Sequence, residues 1–277
     1  VTPTDASLPG PHGPVPVRRY RATDPDPTRR TAPPTLVWLH GGGFFREDLD
    51  QPEADAVART LGDHGLPVVT VDYRLGPVPG LPRVGRTGPR RRLSAPAAHD
   101  EVVAVVTALA ERGERVVIGG ASAGACIAAA VAATLRHGTG PDAAPLGVVL
   151  AYGFFHARLP RDRAVLRSVR GHRRLTHAPW ALDAANRAYA GTAQGAADPR
   201  AFPGGHPVDA FPPTLMLDAD HDAMRASGAR FADELRGAST PVERHVLPGS
   251  RHAFLNRPAT SDFADAVDRI AAWTADR

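Results

Sequence analysis

Val116-Val117-Ile118-Gly119-Gly120-Ala121-Ser122-Ala123-Gly124-Ala125 is the stretch on which the reading of this chain turns. The β-branched residues predict a buried strand, the glycines break it, and an alanine-rich run predicts a helix from Ala123 to about Arg136. Between strand and helix stands Gly120-Ala121-Ser122-Ala123-Gly124, a serine flanked only by small residues. A nucleophilic serine on a tight strand-to-helix turn needs such neighbours, because the turn brings backbone and adjacent elements close together. The free N–H groups of a helix start also favour negative charge developing beside it. The alternative is a glycine-rich turn in which Ser122 merely caps the helix. A chance match to this pattern is expected about 0.1 times in such a chain, so the flanking strand and helix strengthen the motif.

Outward from this turn, short apolar runs recur at Leu36–Leu39, Val68–Val71, Val148–Ala151, Thr214–Leu217 and Val242–Leu247. They mostly lack polar alternation, as strands covered on both faces do. A shorter alternating run from Val15 to Tyr20 reads as an edge strand. Helices are expected at about Pro96–Arg112, Leu182–Tyr189, Met224–Arg236 and Asp262–Ala275, the last with Phe263, Val267, Ile270 and Trp273 as a core-facing stripe. Asp50-Gln51-Pro52-Glu53 reads as an N-cap, a first-turn proline and a capping-box acid, opening a helix to about His64. Strand–helix alternation predicts an α/β fold, with a mostly parallel central sheet and helices on both faces.

Composition limits what this fold can be. With 277 residues, 43% hydrophobic and 22% charged, the chain suits one layered α/β domain over 1–277 and excludes wholesale disorder. No apolar run approaches the ~18 residues of a membrane span. One cysteine, Cys126, excludes an internal disulfide. No apolar signal core marks residues 1–35, so a cytoplasmic address is expected, although a chain beginning with Val1 reads as one that has been trimmed. All 33 basic residues are arginine, and they cluster. Residues 76–95, an Arg-rich insertion loop, hold Arg83, Arg86, Arg90, Arg91 and Arg92 and no acid; residues 156–174 hold seven arginines against Asp162. Neither segment is interleaved with aromatics, so no nucleic-acid partner is expected, and solvated loops are the simpler account. Residues 152–212 separate two strands by more than a usual crossover and predict a cap excursion over the sheet edge. Both segments leave from carboxyl ends of strands, where ligands of open α/β sheets bind.

His40-Gly41-Gly42-Gly43 follows the strand Leu36–Leu39, with a chance expectation of about 0.01 per chain. Successive glycines let main-chain N–H groups point into a cavity and stabilise an oxyanion. The alternatives are a plain flexible loop or a phosphate loop; the latter would carry Lys and Ser/Thr next, where this chain has Phe44-Phe45.

These motifs, with Asp72-Tyr73-Arg74-Leu75, Pro96-Ala97-Ala98, Asp198-Pro199-Arg200-Ala201 and Asp218-Ala219-Asp220-His221-Asp222, resemble the hormone-sensitive-lipase-like (bacterial family IV) esterases of the α/β-hydrolase fold. The likeness runs from about Leu36 to the C-terminus. It implies a triad in the order Ser, acid, His: Ser122 as nucleophile, Asp222 rather than Asp218 or Asp220 as acid, and His252 rather than His245 as base. It implies an oxyanion hole from the N–H groups of Gly42, Gly43 and Ala123, a structural role for His40, and two-step acyl transfer with no metal or cofactor. Phe44, Phe45 and Trp180 are expected to contact a small-molecule acyl substrate with a short acyl chain. Ala121 and Gly124-Ala125 depart from the family's acidic residue and glycine pair, Ala226 from a second aspartate, and the short N-terminal segment implies a reduced cap. Two cationic overhangs make an anionic substrate a candidate. The same constellation also serves N-acyl or N-formyl amide hydrolysis, elimination by a dehydratase, or non-catalytic small-molecule binding, and the sequence carries no signal for the number of subunits.

Overall fold

The apolar runs pair into a single sheet. In the computed structural model, which describes residues 1–23, 32–81, 91–136, 144–171 and 173–277, the strands are β1 (Thr4–Leu8), β2 (Val15–Tyr20), β3 (Thr35–Leu39), β4 (Val68–Val71), β5 (Val116–Ala121), β6 (Val148–Ala151), β7 (Thr214–His221) and β8 (Val242–Arg251). They lie in the order β1-β2-β4-β3-β5-β6-β7-β8. The β1–β2 and β2–β4 pairs are antiparallel and the rest are parallel.

Both faces are covered, as the continuous apolar runs require. Along β3, Val37 and Leu39 join one buried cluster while Leu36 and Trp38 join the other. The first cluster takes Val102, Val105 and Leu109 of α2 (Ala97–Ala110), Ile127 and Val131 of α3 (Ala123–Leu135), and Phe231 and Leu235 from the penultimate long helix, Arg225–Gly237. The second takes Val57 and Leu61 of α1 (Asp55–Asp63) and the expected stripe Phe263, Val267, Ile270 and Trp273 of the last helix, Ser261–Ala275. Burying each such side chain contributes about 1.5–3 kcal/mol. Between β6 and β7 the chain forms α4 (Arg163–Ser168), α5 (Arg173–Thr176), α6 (Pro179–Ala190) and α7 (Ala193–Ala196); α8 (Arg225–Gly237) and α9 (Ser261–Ala275) follow. No helix among the described residues is long and apolar enough to cross a membrane.

Three local readings are corrected. The helix expected from Asp50 begins at Asp55: Asp50 instead accepts from Arg18 Nη1 at 2.7 Å, and the Glu53 carboxylate is drawn away to the glycine loop. Strand β1, four of whose five residues are exposed, has too little apolar pattern to be read. Strand β8 runs on through Pro248 and Gly249, which an edge strand tolerates because proline there forfeits no needed ladder bond. Of the Arg-rich insertion, residues 82–90, with Arg83, Arg86 and Arg90, lie outside the described residues. Arg92 is no solvated charge: its Nη1 donates to the carbonyl oxygens of Phe45 at 2.5 Å and Gly76 at 2.8 Å.

The start of α3 presses on the end of β3. A Cβ added at Gly124 would be driven into the carbonyl oxygens of Leu39 and His40, which are main chain and cannot rotate aside. Gly124→Ala is therefore expected to destabilise the fold by about 3 kcal/mol, read as a fall in the urea midpoint with an unchanged slope. A midpoint equal to that of the parent would refute this close backbone approach.

Candidate active site

The turn between β5 and α3 holds Ser122 at φ 53°, ψ −115°, a left-handed conformation that costs a non-glycine residue about 1–3 kcal/mol. Its N–H donates to Ala151 O at 2.9 Å, fixing the turn to β6. The side chain does not cap α3. Ser122 Oγ lies 3.1 Å from Nε2 of His252, and His252 Nδ1 lies 2.6 Å from Oδ2 of Asp222. In the tautomer with Nδ1 protonated, Asp222 accepts the Nδ1 proton and Nε2 accepts from Ser122. The three side chains leave the carboxyl ends of β5, β7 and β8, neighbours in the sheet but for β6.

Each competing group has other partners. Asp218, at 1% exposure, faces Arg244, whose Nε donates at 2.7 Å, and packs on Gly228. Asp220 accepts from Arg225 Nη1 at 2.9 Å and from Gly249 N at 3.2 Å. His245 pairs with Glu243 at 2.7 Å. Asp222 also accepts from Met224 N at 3.1 Å. Burial pushes its carboxyl upward, but the charge and hydrogen bond of His252, with help from His177 and Met224 N–H, hold it below the usual carboxylate range.

The glycine loop faces the same serine. Gly42 and Gly43 take φ of 95° and 62°, which side-chain-bearing residues rarely adopt. Gly41 has its N–H engaged elsewhere, by Glu53 Oε1 at 2.6 Å, and a Cβ on it would meet Ser122 Cβ at 3.1 Å. His40 stacks on Tyr73 at 4.4 Å, while the Tyr73 hydroxyl donates to His40 O at 2.8 Å and to Gly41 O at 3.1 Å, so both residues tie the loop down. Ala123 opens α3, where first-turn N–H groups have no intrahelical acceptor.

Of the expected contact residues, Phe44 is buried against Tyr189 at 3.8 Å, with Phe154 and Phe202 edge-on, and Phe45 is half-buried beneath the Arg46 guanidinium. Trp180 stands 67% exposed. From the same excursion it is His177 that reaches the site, its ring 4.8 Å from that of His252. Tyr152, at φ 36°, packs edge-on to His252 at 5.0 Å. Glu53, Tyr152, His177 and Asn256 were not legible as site residues. Tyr152 alone had a usable signal, standing directly after β6 at a carboxyl strand end.

Comparisons with known proteins agree with this fold. Residues 86–256 match the model of a family described as having the alpha/beta hydrolase fold. The chain is 30% identical over 264 residues to the carboxylic ester hydrolase LipN of Mycobacterium tuberculosis, covering 91% of this chain and 64% of that protein; it thus spans less than two thirds of LipN. It is 31% identical over 253 residues to an ethyl acetate hydrolase of Pseudomonas putida, covering 91% of this chain and 74% of that one. Among solved structures, a Pyrobaculum calidifontis esterase superposes with a TM-score of 0.83 at 25% identity, over 99% of this chain and 85% of that one.

Proposed function

The chain belongs to the alpha/beta hydrolase fold family, and on that premise we propose that it is an esterase of the hormone-sensitive-lipase-like branch, which cleaves carboxylic esters of short acyl chains through an acyl-enzyme on Ser122. The unbroken contact from Ser122 through His252 to Asp222, beside a glycine loop, carries this reading. In the first step Ser122 Oγ attacks the ester carbonyl and His252 Nε2 takes its proton. The carbonyl oxygen becomes an oxyanion held by the N–H groups of Gly42, Gly43 and Ala123. Its collapse expels the alcohol, which receives the proton from His252. Water, deprotonated by the same imidazole, then attacks the acyl carbon and releases the acid and free Ser122. Asp222 holds the imidazole tautomer and stabilises its cation. No step draws on a metal or cofactor.

A short acyl chain fits a site this closed: Ser122 is 5% exposed and His252 6%, and Phe44, next to the glycine loop, is buried among Tyr189, Phe154 and Phe202. The ethyl acetate and acetyl esters named for relatives are of that size. An anionic substrate is supported by the excursion. Arg158, Arg161, Arg163, Arg167, Arg170 and Arg174 are all exposed there, and Ser168 of α4 donates to Asp220 O at 3.2 Å, at the end of β7 and two residues before Asp222.

The test is a panel of nitrophenyl esters of rising chain length, with matching amides, assayed across a salt series. kcat/KM is expected to peak at two to four acyl carbons, about 10-fold or more above the eight-carbon ester, with amides slower still. For acyl groups bearing a carboxylate, kcat/KM is expected to fall as salt rises. A maximum at long chains, or amides faster than esters, would overturn the substrate class; salt-insensitive rates would overturn the steering.

A further inference from the structure

Glu53 is 1% exposed and touches both sides of the site. Its Oε1 accepts from Gly41 N at 2.6 Å, at the root of the glycine loop. Its Oε2 accepts from the Tyr152 hydroxyl at 2.5 Å and from Asn256 Nδ2 at 3.3 Å. Tyr152 in turn lays its ring edge-on to His252 and to Phe254, and Asn256 ends the turn Phe254–Asn256 that follows the histidine. The main chain of Glu53 is held as firmly: its N–H donates to Asn256 Oδ1 at 3.0 Å and its carbonyl accepts from Trp38 Nε1 at 2.8 Å.

A capping role would leave this side chain at a helix start in contact with water. Here it lies dry beneath the active site, where an unpartnered carboxyl would be costly, and several donors from distant parts of the chain converge on it. From this convergence we propose that Glu53 is a positioning residue, whose carboxyl spans the distance from Gly41 to Tyr152 and so sets the oxyanion-binding loop and the catalytic imidazole at their working separation. The proposal rests on the serine-hydrolase reading above. Burial favours the neutral acid and the converging donors favour the carboxylate, but the span survives either way. Oε1 accepts from Gly41 in both states, while Oε2 accepts from Tyr152 when ionised and donates to its oxygen when protonated.

The span therefore matters more than the charge, and two substitutions separate them. Glu53→Asp keeps the charge and shortens the reach by one methylene, so it cannot hold Gly41 and Tyr152 together. Glu53→Gln keeps the reach, with its oxygen toward Gly41 and its amide toward the Tyr152 oxygen, and gives up only the longer bond from Asn256 Nδ2. Active sites are counted by fluorophosphonate titration, and kcat is expressed per titrated site. Glu53→Asp is expected to lower kcat by about 10–100-fold with KM within about 3-fold, because misplacement by about an ångström acts on the transition state. Glu53→Gln is expected to lose clearly less. A merely structural role would reduce the number of titratable sites and leave kcat per site alone. An Asp variant within about 2-fold of the parent in kcat per site, or a Gln variant as slow as the Asp one, would overturn the proposal. Should the Asp variant fail to fold, Tyr152→Phe, which cuts one arm only, must show a loss of the same kind in kcat, and an unchanged kcat overturns the proposal. A parent enzyme that takes no label at Ser122 would overturn the serine-hydrolase reading as well; a labelled parent with an unmoved Asp variant overturns the positioning role alone.

Discussion

Ser122→Ala is expected to lower turnover of the best ester by about 10⁵-fold or more while leaving substrate affinity and the melting temperature nearly unchanged. The magnitude follows from the lack of a substitute nucleophile at the turn. Cys126, one helical turn further on, is fully buried, donates its S–H to Ala201 O with Sγ at 3.4 Å, and has its thiol pushed upward by burial, away from the reactive thiolate. Fluorophosphonate labelling and peptide mapping read the same event directly. One adduct is expected, on the peptide containing Ser122. It disappears in Ser122→Ala and forms slowly in His252→Ala, whose serine has no base 3.1 Å away. An adduct on another residue, or an alanine variant retaining more than about 1% of turnover, would remove the nucleophile from the account.

Asp222→Asn should cost about 10⁴-fold in kcat. The change keeps shape and volume but turns an acceptor into a donor–acceptor pair. An amide N–H facing Nδ1 favours the imidazole tautomer with the proton on Nε2, which cannot take one from Ser122. It also removes the negative charge that stabilises the imidazolium formed during attack. That charge persists under acidic conditions: the folded-state carboxyl lies below its ordinary value, so its contribution is lost only as pH falls through that lowered range. Asp218→Asn provides the contrast. It breaks the pair with Arg244 and should lower the melting temperature while kcat stays within about 3-fold of the parent. If the two variants exchange these phenotypes, the acid has been assigned to the wrong aspartate.

What could be read without coordinates was whatever rests on local pattern. Val68–Val71 and Val148–Ala151 are strands with the expected ends, because uninterrupted apolar runs have few other ways to bury both faces. The turn at Ser122 was legible because its geometry demands small residues on either side. Glu53 was not, since an acid three residues after Asp50 and one after Pro52 fits a helix start equally well, and only the fold puts Gly41 within its reach. Trp180 was named for its place in the excursion 152–212, yet that place does not say which side of α6 faces inward; His177, just before that helix, is the residue that meets His252. The short helices α4, α5 and α7 carry too few turns to develop a periodic stripe.

The order in which the functional groups lie along the chain has a consequence for biosynthesis. Ser122 and the glycine loop precede β6, whereas His252 follows β8, 130 residues beyond the serine. A ribosome therefore extrudes the alcohol well before the imidazole that arms it. Throughout that interval the nascent polypeptide carries a hydroxyl as inert toward esters as any ordinary serine. On the proposed mechanism competence waits for the segment that follows β8, so a product ending before residue 252 would be catalytically silent whatever else of it had folded.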